Sequence, residues 1–130
     1  MVLQLQLFLF AKRLMIKYIC RQDFFMFNKQ NLLFQIKQSV ASNQPGAVVI
    51  LYGSYARGDE RSDSDIDVLI LINKNKVTNE DERKVKYPLY EIEFETGHII
   101  SPLVLSKNDW ETRHRITPFY ENIKREGKVL

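Results

Sequence analysis

The sequence predicts a small α/β domain in which helices pack on a short β-sheet. Two apolar runs rich in β-branched residues, 47–52 and 68–72, are bounded by polar or glycine-containing segments, which is typical of buried strands. A third apolar run, 98–105, follows a charged stretch of helical character. With 130 residues the chain is long enough for one domain with one hydrophobic core.

Composition and charge exclude several classes of protein. Hydrophobic residues make up 45% of the chain and charged residues 27%, as in ordinary globular domains. The single cysteine, Cys20, allows no intrachain disulfide, and a reducing cytoplasm is the expected location. The net charge is +3, but the basic surplus lies in residues 1–30. A nucleic-acid-binding surface is therefore not expected on the rest of the chain.

The first 27 residues differ from the rest. Eleven uncharged residues open the chain, far fewer than the ~20 that span a bilayer, so no membrane segment is expected. Lys12 and Arg13 follow this run instead of preceding it, unlike a secretory signal. The segment could be an accessory helix, an interfacial helix, or translated upstream sequence with the functional protein beginning at Met26. We expect the last, with an extension over 1–27 and the domain over 28–130.

The remaining helices are predicted from periodicity and end signals. An amphipathic helix is expected from Asn28 or Asn31 to Asn43, because residues 45–46 are Pro-Gly. A second helix over 78–93 begins at a Thr78 cap, and Pro88 is expected to kink or divide it.

Residues 91–96 fit either a helix or an extended segment. Pro102 indicates that the third strand lies at an edge of the sheet or is irregular there. Ser106 and Thr117 each precede a C-terminal helix, the second of which Gly127 ends. Within this region Trp110 and Phe119 are expected to pack into the core.

The polar segment between the first two strands concentrates the candidate functional residues. Gly53 lets the chain leave the first strand sharply, and Ser54 opens a turn whose N–H groups and hydroxyl suit an anion. Asp65 and Asp67 are two residues apart at the entry of the second strand, so both carboxylates project from one face. Mg²⁺ binds through one or two carboxylates together with phosphate oxygens of a substrate. This segment therefore predicts a site for a nucleoside triphosphate with Mg²⁺, which Asp65 and Asp67 would hold.

The sequence G-S-Y-A-R-G-D, followed by S-D-I-D, resembles the signature of the DNA polymerase beta-like nucleotidyltransferase superfamily, especially its minimal nucleotidyltransferase branch. The resemblance implies a nucleotidyltransferase fold, with a small mixed β-sheet flanked by helices. It implies that Gly53 and Ser54 bind the nucleotide and that Asp65 and Asp67 are catalytic metal ligands. Arg57 would either contact the triphosphate or brace the loop through a nearby aspartate.

Members of that superfamily carry a third carboxylate on the next strand. Aligning residues 97–103 with the typical segment places Ser101 at that position. Either Glu93 or Glu95 replaces the missing base, or the chain binds nucleotide and transfers it poorly, or the alignment is shifted. We take Glu93 as the third catalytic residue.

The resemblance implies transfer of AMP from ATP to a hydroxyl, and a partner with a small helical HEPN domain that the enzyme modifies as an antitoxin. One domain has little room for its own acceptor-recognition module, so the acceptor is expected on another molecule. The alternative from a different class is a catalytically impaired nucleotide-binding or protein-interaction module.

Overall fold

The computed structural model describes residues 2–130, and for residues 20–27 it describes the backbone alone. The chain divides into two compact units, Met1–Leu33 and Phe34–Leu130. Helix α1 (Val2–Asn43) ends where the sequence predicts. Its predicted start at Asn28 or Asn31 is wrong, because residues 2–27 contain no proline or glycine and are mostly residues that helices accommodate. The large apolar side chains described over residues 2–19 are all exposed.

The second unit contains a four-stranded mixed sheet, in agreement with the predicted fold. Its strands are β1 (Val48–Tyr52), β2 (Ile66–Ile72), β3 (Ile100–Ser106) and β4 (Lys128–Val129). The order is β3-β2-β1-β4; β1 pairs antiparallel with β2 and β4, and β2 pairs parallel with β3. The predicted edge position of Pro102 is confirmed. The short strand β4 was not predicted.

Helix α3 (Asn79–Thr96) connects the parallel strands β2 and β3. Thr78 caps it as predicted: its hydroxyl accepts from the Asp81 N–H, and the Asp81 carboxylate accepts from the Thr78 N–H. The prediction that Pro88 divides the helix is wrong, because α3 continues through it as one helix. Residues 91–96 accordingly form its last turns.

The two C-terminal helices begin as predicted. Ser106 caps α4 (Lys107–Thr112), and Thr117 caps α5 (Pro118–Glu126). A single 3-10 turn lies between them. These elements cover one face of the sheet, where a buried cluster forms from Leu69, Leu71, Trp110, Tyr120 and Ile123. Phe119 packs against this cluster, so the predicted core role of Trp110 and Phe119 is confirmed.

Side chains of β2 alternate between the two faces of the sheet. Ile66, Val68 and Ile70 are completely buried on one face, while Asp67 precedes Leu69 on the other. Both faces of the sheet are thus covered, and the face that carries Leu69 has an acidic residue at its end. No helix in the described part of the chain is long and apolar enough to cross a membrane.

Candidate active site

The turn that follows β1 is shaped by Gly53. Its backbone has φ 70° and ψ −153°, a conformation that side chains oppose. A Cβ at this position would lie 2.5 Å from the Asp67 Oδ2, so the carboxylate fills the space that a side chain would need. Glycine therefore brings the turn and the aspartate of β2 into contact.

A single helical turn, α2 (Ser54–Arg57), follows directly. The Gly53 carbonyl accepts from the N–H groups of Ala56 and Arg57. Gly58, with φ 79°, ends the turn by donating its N–H to the Ser54 carbonyl. Ser54 is consequently fixed beside Gly53 at the start of the turn.

The two aspartates lie where strand parity predicts. Asp65 directly precedes β2 and is exposed, Asp67 is half-buried within the strand, and Ile66 between them is completely buried. Burial, with a further contribution from the negative charge of Asp65, raises the pKa of the Asp67 carboxyl, and Arg57 opposes this in part. The ionised form of Asp67 is thus disfavoured by its surroundings.

Such a pair fits a hard divalent cation. The described residues contain no group of three or more His, Cys, Asp or Glu side chains that could hold a metal by themselves. Mg²⁺ needs only one or two carboxylates when substrate phosphates supply further oxygens. The two aspartates, next to a turn that has no side chain at Gly53, meet that requirement.

Arg57 points towards two carboxylates. Its Nε donates to the Asp59 Oδ2 and its Nη1 donates to the Glu126 Oε2, each over 3.3 Å. The structure therefore shows the bracing role through Asp59, one of the two predicted for Arg57. Glu126 lies at the end of α5, and sequence reasoning missed it because no local pattern joins residues 69 positions apart.

Ser101 lies directly opposite Asp67 in the parallel pairing of β2 and β3. The two side chains share a face of the sheet, since paired residues of neighbouring strands point the same way. A serine therefore occupies the position across from Asp67, and its correspondence to the family's third carboxylate stays a prediction.

Glu93 is placed differently. Its Oε1 accepts the Ile100 N–H over 2.6 Å. The Ile66 N–H donates to the Ile99 carbonyl. The backbone N–H and C=O groups of Ile99 and Ser101 therefore face β2. Those of Ile100, between them, face the unpaired edge of β3. The Glu93 carboxylate thus lies along the outer edge of β3.

Tyr52 is a residue that sequence reasoning did not single out. It pairs with Asp67 across β1 and β2, and its ring meets Phe119 edge-on with centroids 5.4 Å apart. Burial, and to a lesser degree the Asp67 charge, raises the pKa of the Tyr52 hydroxyl. Its strand parity with Asp67 was the available signal. The rings of Tyr52 and Phe119 form an aromatic surface beside the Asp67 carboxylate.

Comparison with known proteins agrees with this geometry. A family model described as "Nucleotidyltransferase domain" matches residues 33–124. Two relatives from Methanocaldococcus jannaschii are each described as a "putative protein adenylyltransferase". One is 40% identical over 60 residues, covering 45% of this chain and 59% of the relative. The other is 30% identical over 105 residues, covering 79% and 98%.

Two solved structures share the fold. One is titled "Crystal structure of the toxin-antitoxin with AMP-PNP", with a TM-score of 0.54, 20% identity, and coverage of 73% of this chain and 68% of that chain. The other is a "putative nucleotidyltransferase from Sulfolobus solfataricus", with a TM-score of 0.51, 22% identity, and 79% coverage of each chain.

A glycine turn against a strand aspartate, on a small mixed sheet, is the arrangement expected of a nucleotidyltransferase, and the family model and the two relatives assign the chain to this type of enzyme. The chain belongs to the nucleotidyltransferase domain family, whose model covers most of it.

Proposed function

We propose that this protein transfers AMP from ATP to a hydroxyl group of another protein, with release of pyrophosphate. The observation that carries the proposal is the contact between the Gly53 turn and the Asp67 carboxylate, which joins a phosphate-binding turn to an acidic pair. Two relatives described as protein adenylyltransferases support both the nucleotide and the class of acceptor.

Different residues of this chain bind the phosphates and the metal ion. The backbone at Gly53 and the Ser54 hydroxyl hold the β and γ phosphates. Arg57, steadied by Asp59 and Glu126, keeps further N–H groups available for the triphosphate. Asp65 and Asp67 hold Mg²⁺, which when bound neutralises phosphate charge and aligns the phosphoryl group.

The third carboxylate of the reaction is assigned to Glu93, because Ser101 cannot act as a carboxylate base across from Asp67. This assignment stays a prediction. Glu93 is within the same part of the fold, but its carboxylate already accepts a backbone N–H at the edge of β3. A catalytic role requires that this hydrogen bond orient the side chain or give way when the acceptor binds.

A HEPN-domain protein is the proposed acceptor, with the enzyme acting as an antitoxin in the cytoplasm. Support comes from a structural neighbour that its title places in a toxin-antitoxin complex. The catalytic face ends near exposed residues such as Leu103 and has no further domain among the described residues to recognise an acceptor.

The second candidate is a nucleotide-binding module that transfers poorly, and Ser101 is the observation that favours it. One experiment separates the two. The protein is co-expressed with a HEPN-domain protein from a neighbouring reading frame, and the intact mass of that partner is measured. An added adenylyl group that disappears in the Asp65→Asn/Asp67→Asn variant supports transfer. A complex with no added mass supports the module, and no complex contradicts the antitoxin role.

We also propose that the functional domain comprises residues 28–130. The exposed apolar side chains described over residues 2–19 support this, because they add nothing to a buried core. A chain beginning at Met26 is expected to unfold cooperatively and to bind ATP with the affinity of the full chain. Loss of cooperative unfolding in that shorter chain would contradict the boundary.

A further inference from the structure

Helix α3 carries an aromatic stripe on the side turned away from the core. Its inward residues Val85 and Leu89 are buried, whereas Tyr87, Tyr90 and Phe94 are 60%, 43% and 93% exposed. Together with Arg83 these three follow a spacing of four, three and four residues. That spacing places them in one line along the helix, as in helices that pair with another helix.

The exposure of this line is unusual for a lone domain. Scattered apolar residues on a surface need no explanation, but a contiguous group of large ones marks an interaction site. Helix α3 already has a buried side that attaches it to its own domain, so the aromatic stripe is not needed for folding. It is therefore available to a second helix.

The charges beside the stripe indicate which helix fits. Lys84 lies next to Arg83 near the beginning of α3, and Glu91 lies next to Tyr90 near its end. Two α3 helices placed side by side in parallel would bring Arg83 against Arg83 of the other helix, because each position of the stripe then faces its own copy. In antiparallel order each lysine meets the glutamate of the other helix.

We propose that α3 pairs with α3 of a second copy of this chain, in antiparallel order around a two-fold axis between Tyr87 and Tyr90. Tyr87 then packs on Tyr90 of the second copy, and Arg83 lies over the ring of its Phe94, a contact that a guanidinium and an aromatic face favour. Lys84 pairs with its Glu91. Each contact occurs twice, as a two-fold interface requires.

The existing contacts of these residues permit the pairing. Lys84 forms an ion pair with Glu80 over 3.2 Å within α3, and both side chains are more than half exposed. Exposed pairs of this kind contribute little, so Lys84 can exchange its partner at small cost. The patch is small for a stable interface, which typically buries about 800 Å² on each side. The dimer is expected to dissociate on dilution.

Sedimentation equilibrium of the full chain across a range of concentrations tests the proposal. The wild-type mass is expected to rise from the 15.4 kDa of one chain towards twice that value. Phe94→Glu is expected to hold the mass at 15.4 kDa, with unchanged thermal unfolding because Phe94 is 93% exposed. Ile116→Glu is the matched control: Ile116 is 91% exposed outside α3, so this variant should dimerise like the wild type.

Charge exchange tests the antiparallel order. Lys84→Glu and Glu91→Lys are each expected to weaken the dimer at least several-fold, and the two together are expected to restore it. A wild-type mass of one chain at every concentration overturns the proposal, and so does a dimer that tolerates Phe94→Glu. A combined charge variant weaker than either single variant overturns the antiparallel order. A monomeric wild type that binds a different protein through Phe94 assigns the stripe to that protein instead.

Discussion

Two aspartates of this protein, Asp67 and Asp81, have opposite surroundings. Asp81 is buried at the start of α3. Its carboxylate accepts hydrogen bonds from Lys74 Nζ over 2.6 Å and from Gln44 Nε2 over 3.2 Å. It also accepts from the N–H and the hydroxyl of Thr78. The bond from Lys74, followed by those from Thr78, holds the pKa of the Asp81 carboxyl well below its usual range. Burial and Asp65 instead raise the pKa of Asp67.

The difference separates a structural carboxylate from the carboxylate that we propose to hold the metal. The charge of Asp81 is neutralised by groups of its own chain, so it joins the end of α1, the loop after β2 and the start of α3. The charge of Asp67 lies near a second carboxylate and a bare glycine turn. Only the second arrangement retains attraction for a cation, because Arg57 compensates the Asp67 charge only in part. A carboxyl with a perturbed pKa is characteristic of functional sites.

The largest expected effect follows from removing the uncompensated charges. Asp65→Asn/Asp67→Asn should lower adenylyl transfer by roughly 10³-fold or more, since the groups that hold the phosphate charge are lost. Stability should be unchanged or slightly higher, because two close like charges disappear. Transfer of radiolabelled AMP, with thermal unfolding in parallel, measures both. Asp63→Asn, in the adjoining loop, is the control, and equal losses in both variants would contradict the assignment.

Glu93 tests whether a carboxylate that accepts a backbone bond, as Asp81 does, can still act in catalysis. Glu93→Gln retains an oxygen for the Ile100 N–H and loses the charge. Transfer is expected to fall by roughly 10²–10⁴-fold with unchanged stability, the usual effect of losing a general base. Glu95→Gln is the exposed neighbouring control. If Glu93→Gln retains wild-type transfer activity at saturating ATP, the role of Glu93 is structural only.

Gly53→Ala tests the contact that gives Asp67 its surroundings. The added Cβ would meet the Asp67 carboxylate, so the carboxylate or the turn must shift, and transfer should fall by roughly 10²-fold. Gly46→Ala is the matched control, because Gly46 also has a positive φ of 83° but has nothing within 4 Å of its added Cβ. Both variants should lose about 1–2 kcal/mol of stability in denaturant unfolding. Equal activity of the two would contradict the role of this contact.

The smallest effect is on the pH dependence of stability. The folded pKa of Asp81 lies below the ordinary value of 3.8, so its ionised carboxylate stabilises the fold above that pH and loses this effect as the pH falls further. Asp67 has a raised folded pKa, so its ionisation destabilises the fold above that pKa and has no effect well below 3.8. Thermal unfolding from pH 3 to pH 7 should therefore show Asp81→Asn destabilised and Asp67→Asn stabilised near neutrality. Shifts in the same direction would contradict the comparison.

Local sequence patterns predicted the three longer strands and several helix starts. Strands β1, β2 and β3 follow from apolar runs, whereas the pairing of Ser101 with Asp67 is a register that only the structure shows. The helix starts at Thr78, Ser106 and Thr117 follow from their hydroxyl side chains, which accept the expected backbone N–H groups.

The remainder depended on contacts that no local pattern shows. Strand β4 has only two residues, both exposed, and is defined by its pairing with β1. The continuity of α3 past Pro88 was hidden because residues 91–96 fit two periodicities. The burial of Ile92 together with the exposure of Phe94 fits only the helix, since a strand would place both on one face. The bonds from Arg57 to Glu126 and from Lys74 to Asp81 are tertiary contacts.

The open edge of β3 has a consequence for handling the protein at high concentration. An edge strand with free donors can recruit further strands and aggregate. In β3 the outward N–H of Ile100 is covered by Glu93, and the next outward position, Pro102, has no N–H to offer. A strand from another molecule would therefore find no donor along the first half of this edge. Replacing Pro102 by a residue with an N–H, together with Glu93→Ala, is expected to make the protein precipitate on storage.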